Sequence, residues 1–85
     1  MKVMIPSPLI SYTKTQEVKA AGATLAELLI DLDRQYPGLR FRVIDEQGQM
    51  RAHMRFFINR EQVFNLAHPL RSNDTVYLVQ ALSGG

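Results

Sequence analysis

The residues of this chain with the clearest chemical potential are the last two, Gly84 and Gly85. Glycine lacks a Cβ and loses more conformational freedom on folding than any other residue, so a terminal pair predicts a thin, mobile tail. Such a tail can enter a narrow slot in another protein, where the main-chain carboxylate of Gly85 is the reactive group. An α-carboxyl group titrates near ~3.5 and is therefore an anion, a poor electrophile, at neutral pH. We expect a partner enzyme to activate it with ATP as an acyl-adenylate, although composition alone also allows an ordinary frayed terminus.

Length and composition predict one small globular domain, residues 1–82, that carries residues 83–85 as its flexible tail. The chain has 85 residues, of which 46% are hydrophobic and 21% charged, and both fractions are ordinary for a globular fold. It has no cysteine, so disulfides and thiolate zinc sites are excluded. No apolar run approaches the ~20 residues of a membrane span, and the first residues lack a signal-peptide pattern. We expect a cytoplasmic protein without a membrane partner.

Other kinds of functional site find little support in the sequence. His53 and His68 stand alone, without a carboxylate or cysteine at ligand spacing, so neither a metal site nor a nucleophilic triad is expected. There is no glycine-rich phosphate loop and no constellation of acid, base and nucleophile. We therefore expect no bound cofactor, and a protein that is the substrate of other enzymes rather than an enzyme.

The arginines are unevenly distributed along the chain. The net charge is only +2, but six of the seven arginines fall in its middle: Arg34, Arg40, Arg42, Arg51, Arg55 and Arg60. Nucleic-acid binding would need them to form one stripe with aromatic platforms, and only three phenylalanines lie nearby. We expect no nucleic-acid partner, and either a solvated face or a docking surface for an acidic partner.

One main helix is predicted over about residues 24–36. Thr24 and Glu27 have the spacing of a capping box, and Pro37-Gly38 stops the helix after Tyr36. Four leucines recur on one face at helical spacing: Leu25, Leu28, Leu29 and Leu32.

Strands are predicted on both sides of this helix. Residues 54–58 alternate between two faces, and Asn59-Arg60-Glu61 is expected to turn the chain into the next strand. The segment 39–52 is ambiguous apart from a turn at residues 46–48. The predicted strands cover residues 2–5, 16–20, 54–58, 62–64 and 74–82, the first two as a hairpin. The order strand, strand, helix, strand, strand, strand predicts an α+β protein of the β-grasp (ubiquitin-like) class, with a mixed sheet of four to five strands.

Three motifs carry a resemblance to a known family. They are His68-Pro69-Leu70, then Asn73-Asp74-Thr75-Val76, and finally Ala81-Leu82-Ser83-Gly84-Gly85. With them the whole chain resembles the MoaD/ThiS family of ubiquitin-like sulfur carriers. Asn73 stands where the family usually has glycine, and Gln80-Ala81 where it often has prolines. Neither departure touches the diglycine.

The resemblance implies a cycle of sulfur transfer. An E1-like adenylating enzyme would activate Gly85, with Gly84 and Ser83 as spacer, and a sulfur donor would convert the adenylate to a thiocarboxylate. The thiocarboxylate would then deliver sulfur to a synthase. The first half of the chain is similar to the carriers that serve a cysteine synthase, whereas the His68-Pro69-Leu70 motif is similar to partners of the molybdopterin synthase large subunit.

A docking surface is predicted next to the tail. In the last strand Val76 and Leu78 share one face, so if they are core residues the alternate set Tyr77, Val79 and Ala81 is exposed. The family's partner patch corresponds to Val79, Pro6 and Val63. Exposed apolar patches usually mark interaction sites, but Val79 or Val63 could also belong to the core.

Two other functional classes remain open at this point. The activated Gly85 could instead be joined to lysines of target proteins, which would make the chain a protein modifier. A plain adaptor would not need Gly84 and Gly85 at all.

Overall fold

A five-stranded mixed sheet forms the scaffold of residues 1–81, the part of the chain that the computed structural model describes. Ser83, Gly84 and Gly85 of the predicted tail lie outside the described residues, as does the predicted domain boundary. The strands are β1 (Lys2–Met4), β2 (Glu17–Lys19), β3 (Met54–Ile58), β4 (Glu61–Val63) and β5 (Thr75–Gln80). Their spatial order is β2-β1-β5-β3-β4, in which β1 and β5 are parallel and all other neighbours antiparallel. The longest strand, β5, therefore lies at the centre.

Three helices accompany the sheet: α1 (Ile10–Thr13), α2 (Leu25–Gln35) and α3 (Leu39–Val43). The predicted order of the strands and the main helix is confirmed. A 3₁₀ turn at Ser7–Leu9 leads into α1, so β1 and β2 pair as predicted but through a structured connection rather than a tight hairpin. No helix within residues 1–81 is long and apolar enough to span a bilayer.

The start of α2 is fixed by the predicted capping residues. The Thr24 hydroxyl accepts a hydrogen bond from the Glu27 backbone N–H at 3.3 Å, and the Glu27 carboxylate accepts one from the Ala23 N–H at 3.1 Å. These contacts satisfy amide groups that have no partner within the helix. All four leucines of the predicted apolar face are buried, so α2 covers one face of the sheet.

A polar cluster around Asp31 attaches α2 to the edge of the sheet. The Asp31 carboxylate accepts a hydrogen bond from the Ala21 N–H at 3.0 Å and pairs with the Arg34 guanidinium. The Ala21 amide first, and then Arg34, lower the pKa of Asp31 below its usual value. Gln35 adds a bond from its side-chain amide to the Lys19 carbonyl at 3.0 Å. The helix is thus held against the end of β2 as well as against the core.

The prediction that Val63 belongs to an exposed partner patch, which followed from the family resemblance, is wrong, because the β3–β4 turn places Val63 in the core. Strand β4 begins at Glu61, which pairs with Ile58, and Val63 therefore lies opposite the buried Phe56. Cross-strand partners point to the same side of a sheet, so Val63 points into the core and is only 6% exposed. It does not contribute to an exposed patch.

The segment left ambiguous by the sequence contains α3 and a tight turn. The Asp45 side chain accepts hydrogen bonds from the N–H groups of Gln47 and Gln49, at 2.9 and 3.0 Å. Gly48 has φ of +78°, a conformation that suits glycine, and a Cβ built there would meet nothing within 4 Å. An isolated bridge between Ile44 and Met50 closes this turn, which confirms the turn predicted there.

Candidate functional site

The face of the sheet opposite α2 carries the predicted docking residues. Tyr77 and Val79 are each 39% exposed, whereas Val76 and Leu78, which alternate with them, are buried. The alternation predicted for the last strand is therefore confirmed. Pro6, Tyr77, Val79 and Ala81 line one groove of about 660 Å³, which we call the outer groove.

The outer groove forms because β1 ends early beside β5. Met4 is the last residue of β1 and lies opposite Tyr77, and the chain then leaves the sheet through Pro6 and the 3₁₀ turn Ser7–Leu9. The Ile5 N–H donates to the Gln16 carbonyl at 2.7 Å, which fixes the point of departure. That turn walls one side of the groove, and β5 supplies its floor.

Two apolar residues of this face were missed at the sequence level. Met4 lies opposite Tyr77 on β1, and Phe57 lies opposite Tyr77 on β3, so the three side chains form a row across the sheet. The signal for Phe57 was present in the sequence. Once Met54, Phe56 and Ile58 are assigned to the core, the residue between the last two must point outward.

The side chains that line the outer groove are suited to binding another molecule. Its described lining holds aliphatic, aromatic, hydroxyl and amide side chains, and none of its residues carries a carboxylate, ammonium or imidazole group. A concave apolar surface with a few polar groups suits the binding of a partner. The phenol of Tyr77 and the side-chain amide of Gln80 can orient that partner by hydrogen bonding.

The far end of β5 is anchored beside His53. The Ala81 N–H donates to the His53 carbonyl at 2.8 Å. Ala81 is also the last described residue, and the four residues from 82 to 85 can extend at most ~14 Å from it. The outer groove therefore lies within short reach of Gly85.

The near end of β5 is anchored by Asp74 and Asn59. The Asp74 carboxylate accepts bonds from the Arg71 N–H at 2.8 Å and the Asn59 side-chain amide at 3.0 Å. These two donors, the Arg71 backbone first, lower the pKa of Asp74. Asn59 also accepts from the Thr75 N–H at 3.0 Å. Both ends of the strand that leads to Gly85 are thus tied to the neighbouring loops.

The His68-Pro69-Leu70 motif has a structural place in the described chain. The His68 carbonyl accepts from the Leu25 N–H at 3.0 Å, and the Leu70 N–H donates to the Ala23 carbonyl at 2.9 Å. The motif thereby satisfies an amide in the first turn of α2 and lies away from the outer groove.

Comparison with known proteins agrees with this architecture. The model of the ThiS family matches residues 3–85. The chain belongs to the ThiS family. It is 32% identical to proteins described as sulfur carrier protein CysO from Mycobacterium tuberculosis and Mycobacterium bovis, over 98% of this chain and 96% of theirs.

Solved structures show the same β-grasp fold. The chain superposes on a chain of the BexX/CysO complex of Amycolatopsis orientalis with a TM-score of 0.90 and 27% identity, covering 99% of this chain and 98% of that one. It also superposes on the small archaeal modifier protein 1 of Haloferax volcanii with a TM-score of 0.81 and 25% identity, covering 100% and 98%. The predicted ubiquitin-like fold and family resemblance are confirmed.

Proposed function

We propose that this protein is a sulfur carrier that works through the terminal carboxylate of Gly85. An E1-like enzyme would join that carboxylate to the α-phosphoryl group of ATP, with pyrophosphate as the leaving group. A sulfur donor at the sulfide level would then attack the acyl carbon and displace AMP, leaving a thiocarboxylate. ThiS family membership and the similarity to proteins described as sulfur carriers support this assignment.

The outer groove is the structural observation that supports the proposal most directly. An exposed apolar surface on a domain of this size is a site for another protein, and here it lies on the strand that leads to Gly85. We assign Tyr77, Val79, Ala81 and Pro6 to the docking of the adenylating enzyme and of the sulfur-accepting enzyme. Ser83 and Gly84 then act as the spacer between the docking residues of the outer groove and the carboxylate of Gly85.

The sulfur acceptor is proposed to be an enzyme of the cysteine synthase type rather than a molybdopterin synthase large subunit. The first half of the sequence and the similarity to proteins named CysO favour the former. A stable complex with a molybdopterin synthase large subunit, and none with a cysteine synthase, would instead identify the molybdopterin synthase as the sulfur acceptor.

The first experiment is an intact-mass measurement of the untagged chain with ATP, sulfide and the adenylating enzyme of its own source. The expected result is a mass gain equal to the replacement of one oxygen by one sulfur. A chain lacking Gly85 is the control and should show no gain. An unchanged mass of the full chain, with an enzyme proven active on another substrate, would contradict the proposal.

A second candidate function is protein modification through the same carboxylate. The structural similarity to the small archaeal modifier protein 1 favours this alternative. The amine of a target lysine would then displace AMP and form an isopeptide bond. Adducts on an immunoblot that survive reductant and strong base would support it, and their absence under conditions that give the thiocarboxylate would count against it.

A further inference from the structure

Most arginines lack a carboxylate partner within residues 1–81. Within residues 1–81 the ion pairs are Lys2 with Glu17 and Arg34 with Asp31. The other six arginines have no carboxylate within ion-pair distance in that part of the chain: Arg40, Arg42, Arg51, Arg55, Arg60 and Arg71. A cation without a carboxylate partner in the described chain is available for an external one.

Two of these arginines line a small hollow together with an aromatic ring. Phe41, Arg42, Arg51 and His53 surround a volume of about 280 Å³, which we call the arginine hollow. Arg51 donates its Nε–H to the Phe41 carbonyl at 2.8 Å, and its guanidinium carbon lies 4.7 Å from the centre of the Phe41 ring. Phe41 is 56% exposed. Arg51 is thus already positioned in the absence of a partner, which lowers the entropic cost of binding.

The acidic residues that lie near the hollow in sequence are Asp33, Asp45 and Glu46. Glu46 is exposed and forms no ion pair within the described chain, and the two aspartates bind backbone amides. Asp33 accepts hydrogen bonds from the backbone N–H groups of Gly38 and Arg40, both at 3.1 Å. Asp45 caps the N–H groups of its own turn. The positive charge at the hollow is therefore not neutralised by these carboxylates.

The arginine hollow adjoins the end of β5. His53 lines the hollow, and its carbonyl accepts the Ala81 N–H at 2.8 Å. Arg55 donates to the carbonyls of Ala52 and Met54, on either side of His53, and lies opposite Val79 in the sheet. A protein that covers the outer groove and the end of β5 would therefore reach the hollow as well.

We propose that the arginine hollow binds an acidic surface of the adenylating enzyme, as a second contact beside the outer groove. The proposal rests on the proposed function. Guanidinium groups bind carboxylates through paired hydrogen bonds, and arginine is enriched among the interface residues that dominate binding energy. Complementary charge also accelerates the encounter of the two proteins.

A protein partner fits this site better than a nucleic acid does. Bases bind by stacking on open aromatic faces, and one face of the Phe41 ring is already covered by Arg51. Phe56 is buried in the core, and Phe57 lies in the row with Tyr77 across the sheet and does not line the hollow. The remaining chemistry, two guanidinium groups beside a partly covered ring, suits carboxylate side chains.

Charge reversal at the hollow tests the proposal. Arg42→Glu and Arg51→Glu in the full chain should each weaken binding to the adenylating enzyme by about tenfold or more, measured by surface plasmon resonance at several salt concentrations. Arg60→Glu is the matched control, because Arg60 is exposed in the β3–β4 turn and the change in net charge is the same. It should change binding less than about twofold. The affinity for the adenylating enzyme should depend less on salt concentration in Arg42→Glu and Arg51→Glu than in the wild type, and Arg60→Glu should behave as the wild type does.

Several results would overturn the proposal. Equal losses in all three variants would show an effect of net charge alone, and no loss in Arg42→Glu would remove the hollow from the interface. Thermal unfolding of each variant checks that it is folded. Should Arg51→Glu be destabilised, the binding of Arg42→Glu alone tests the proposal. Binding of a labelled single-stranded oligonucleotide at physiological salt, lost in Arg51→Glu, would reassign the hollow to nucleic acid. A wild-type chain that binds the enzyme but gains no sulfur would contradict the proposed function without touching this inference.

Discussion

The two faces of strand β5 use similar side chains for different purposes. Val76 and Leu78 are at most 2% exposed beneath α2, whereas Tyr77 and Val79 are each 39% exposed on the other face. On the first face apolar groups stabilise the fold, at about 25 cal/mol for each Å² removed from water. On the second face the same kind of group is partly exposed to water, on the strand that leads to Gly85. In the proposed function, one strand thus separates stability from recognition by the alternation of its side chains.

The largest difference in stability should appear when an aspartate is introduced on each face of the sheet, at Val63 of β4 on the buried face and at Val79 of β5 on the exposed face. Val63→Asp places a carboxylate in the core and should cost at least about 3 kcal/mol of the free energy of unfolding, or unfold the domain. Val79→Asp should cost less than about 1 kcal/mol, because the new charge remains in water. Urea denaturation followed by circular dichroism measures both values.

The same pair of variants separates recognition from stability. Val79→Asp should weaken binding of the adenylating enzyme about tenfold or more, because it places a charge in an apolar contact. If instead Val79→Asp unfolds the chain as readily as Val63→Asp, then Val79 serves the core and the distinction between the faces fails.

A smaller effect is expected from truncation within β5. Leu78→Ala removes buried atoms and leaves a cavity, so it should lower the free energy of unfolding by about 2–5 kcal/mol. Tyr77→Ala, one residue earlier on the exposed face, should cost less than half as much. Denaturant titration of both variants tests this, and similar losses would mean that the outer row of Met4, Tyr77 and Phe57 stabilises the fold as much as the core does.

Loss of the N-terminal cap of α2 should lower the stability of the fold without affecting binding at the outer groove. Thr24→Ala removes the acceptor of the Glu27 N–H and should cost about 1 kcal/mol of stability. Thr15→Ala, in an exposed loop position, is the matched control and should change stability little. Binding at the outer groove should stay as in the wild type, and a loss of binding in Thr24→Ala would show that the two faces are coupled.

The smallest effect should appear in the pH dependence of stability. The pKa of Asp74 is lowered in the folded chain, by the Arg71 amide first and the Asn59 amide second. Its contribution to stability is therefore present above the unfolded pKa and is lost as pH falls through the lower folded value. Wild type should exceed Asp74→Asn in thermal stability at neutral pH, and the difference should shrink below about pH 4. A difference that does not change down to about pH 2 would contradict this role.

Much of this architecture follows from local sequence signals. Thr24 with Glu27 sets the start of α2, the leucine spacing gives its buried face, and Pro37 with Gly38 ends it. The alternation of apolar residues along β5 is enough to assign Tyr77 and Val79 to the exposed face. These features are decided within a few residues of chain, which is why the sequence alone is sufficient for them.

The error at Val63 came from the family resemblance, and the turn predicted at residues 59–61 did not correct it. A turn of three residues, Asn59 to Glu61, would place Val63 opposite Phe57 on the outer face. The structure has a turn of two residues, so Val63 lies opposite Phe56 instead. A shift of one residue inverts every side chain of a strand. Asn59 adopts φ of +56° in this two-residue turn. The neighbouring residues give no sequence signal that would predict this conformation.

The arginine hollow could not be read from the sequence for a different reason. Arg42 lies in α3, whereas Arg51 and His53 follow the tight turn. They meet because the bridge between Ile44 and Met50 reverses the chain between them. The sequence showed that arginines are concentrated in this region, but not that Arg51 rests on Phe41. The contact depends on how α3 ends and the chain turns back, and the sequence left that segment ambiguous.

The tight turn around Gly48 has a practical consequence. It is closed by the bridge between Ile44 and Met50, and the space around Gly48 is open. Neither the outer groove nor the arginine hollow includes Gly48. A fluorophore attached to a cysteine introduced at the neighbouring exposed Gln47 would therefore report on complex formation without altering either surface or the carboxylate of Gly85. Because the chain has no cysteine of its own, that label would attach at a single position.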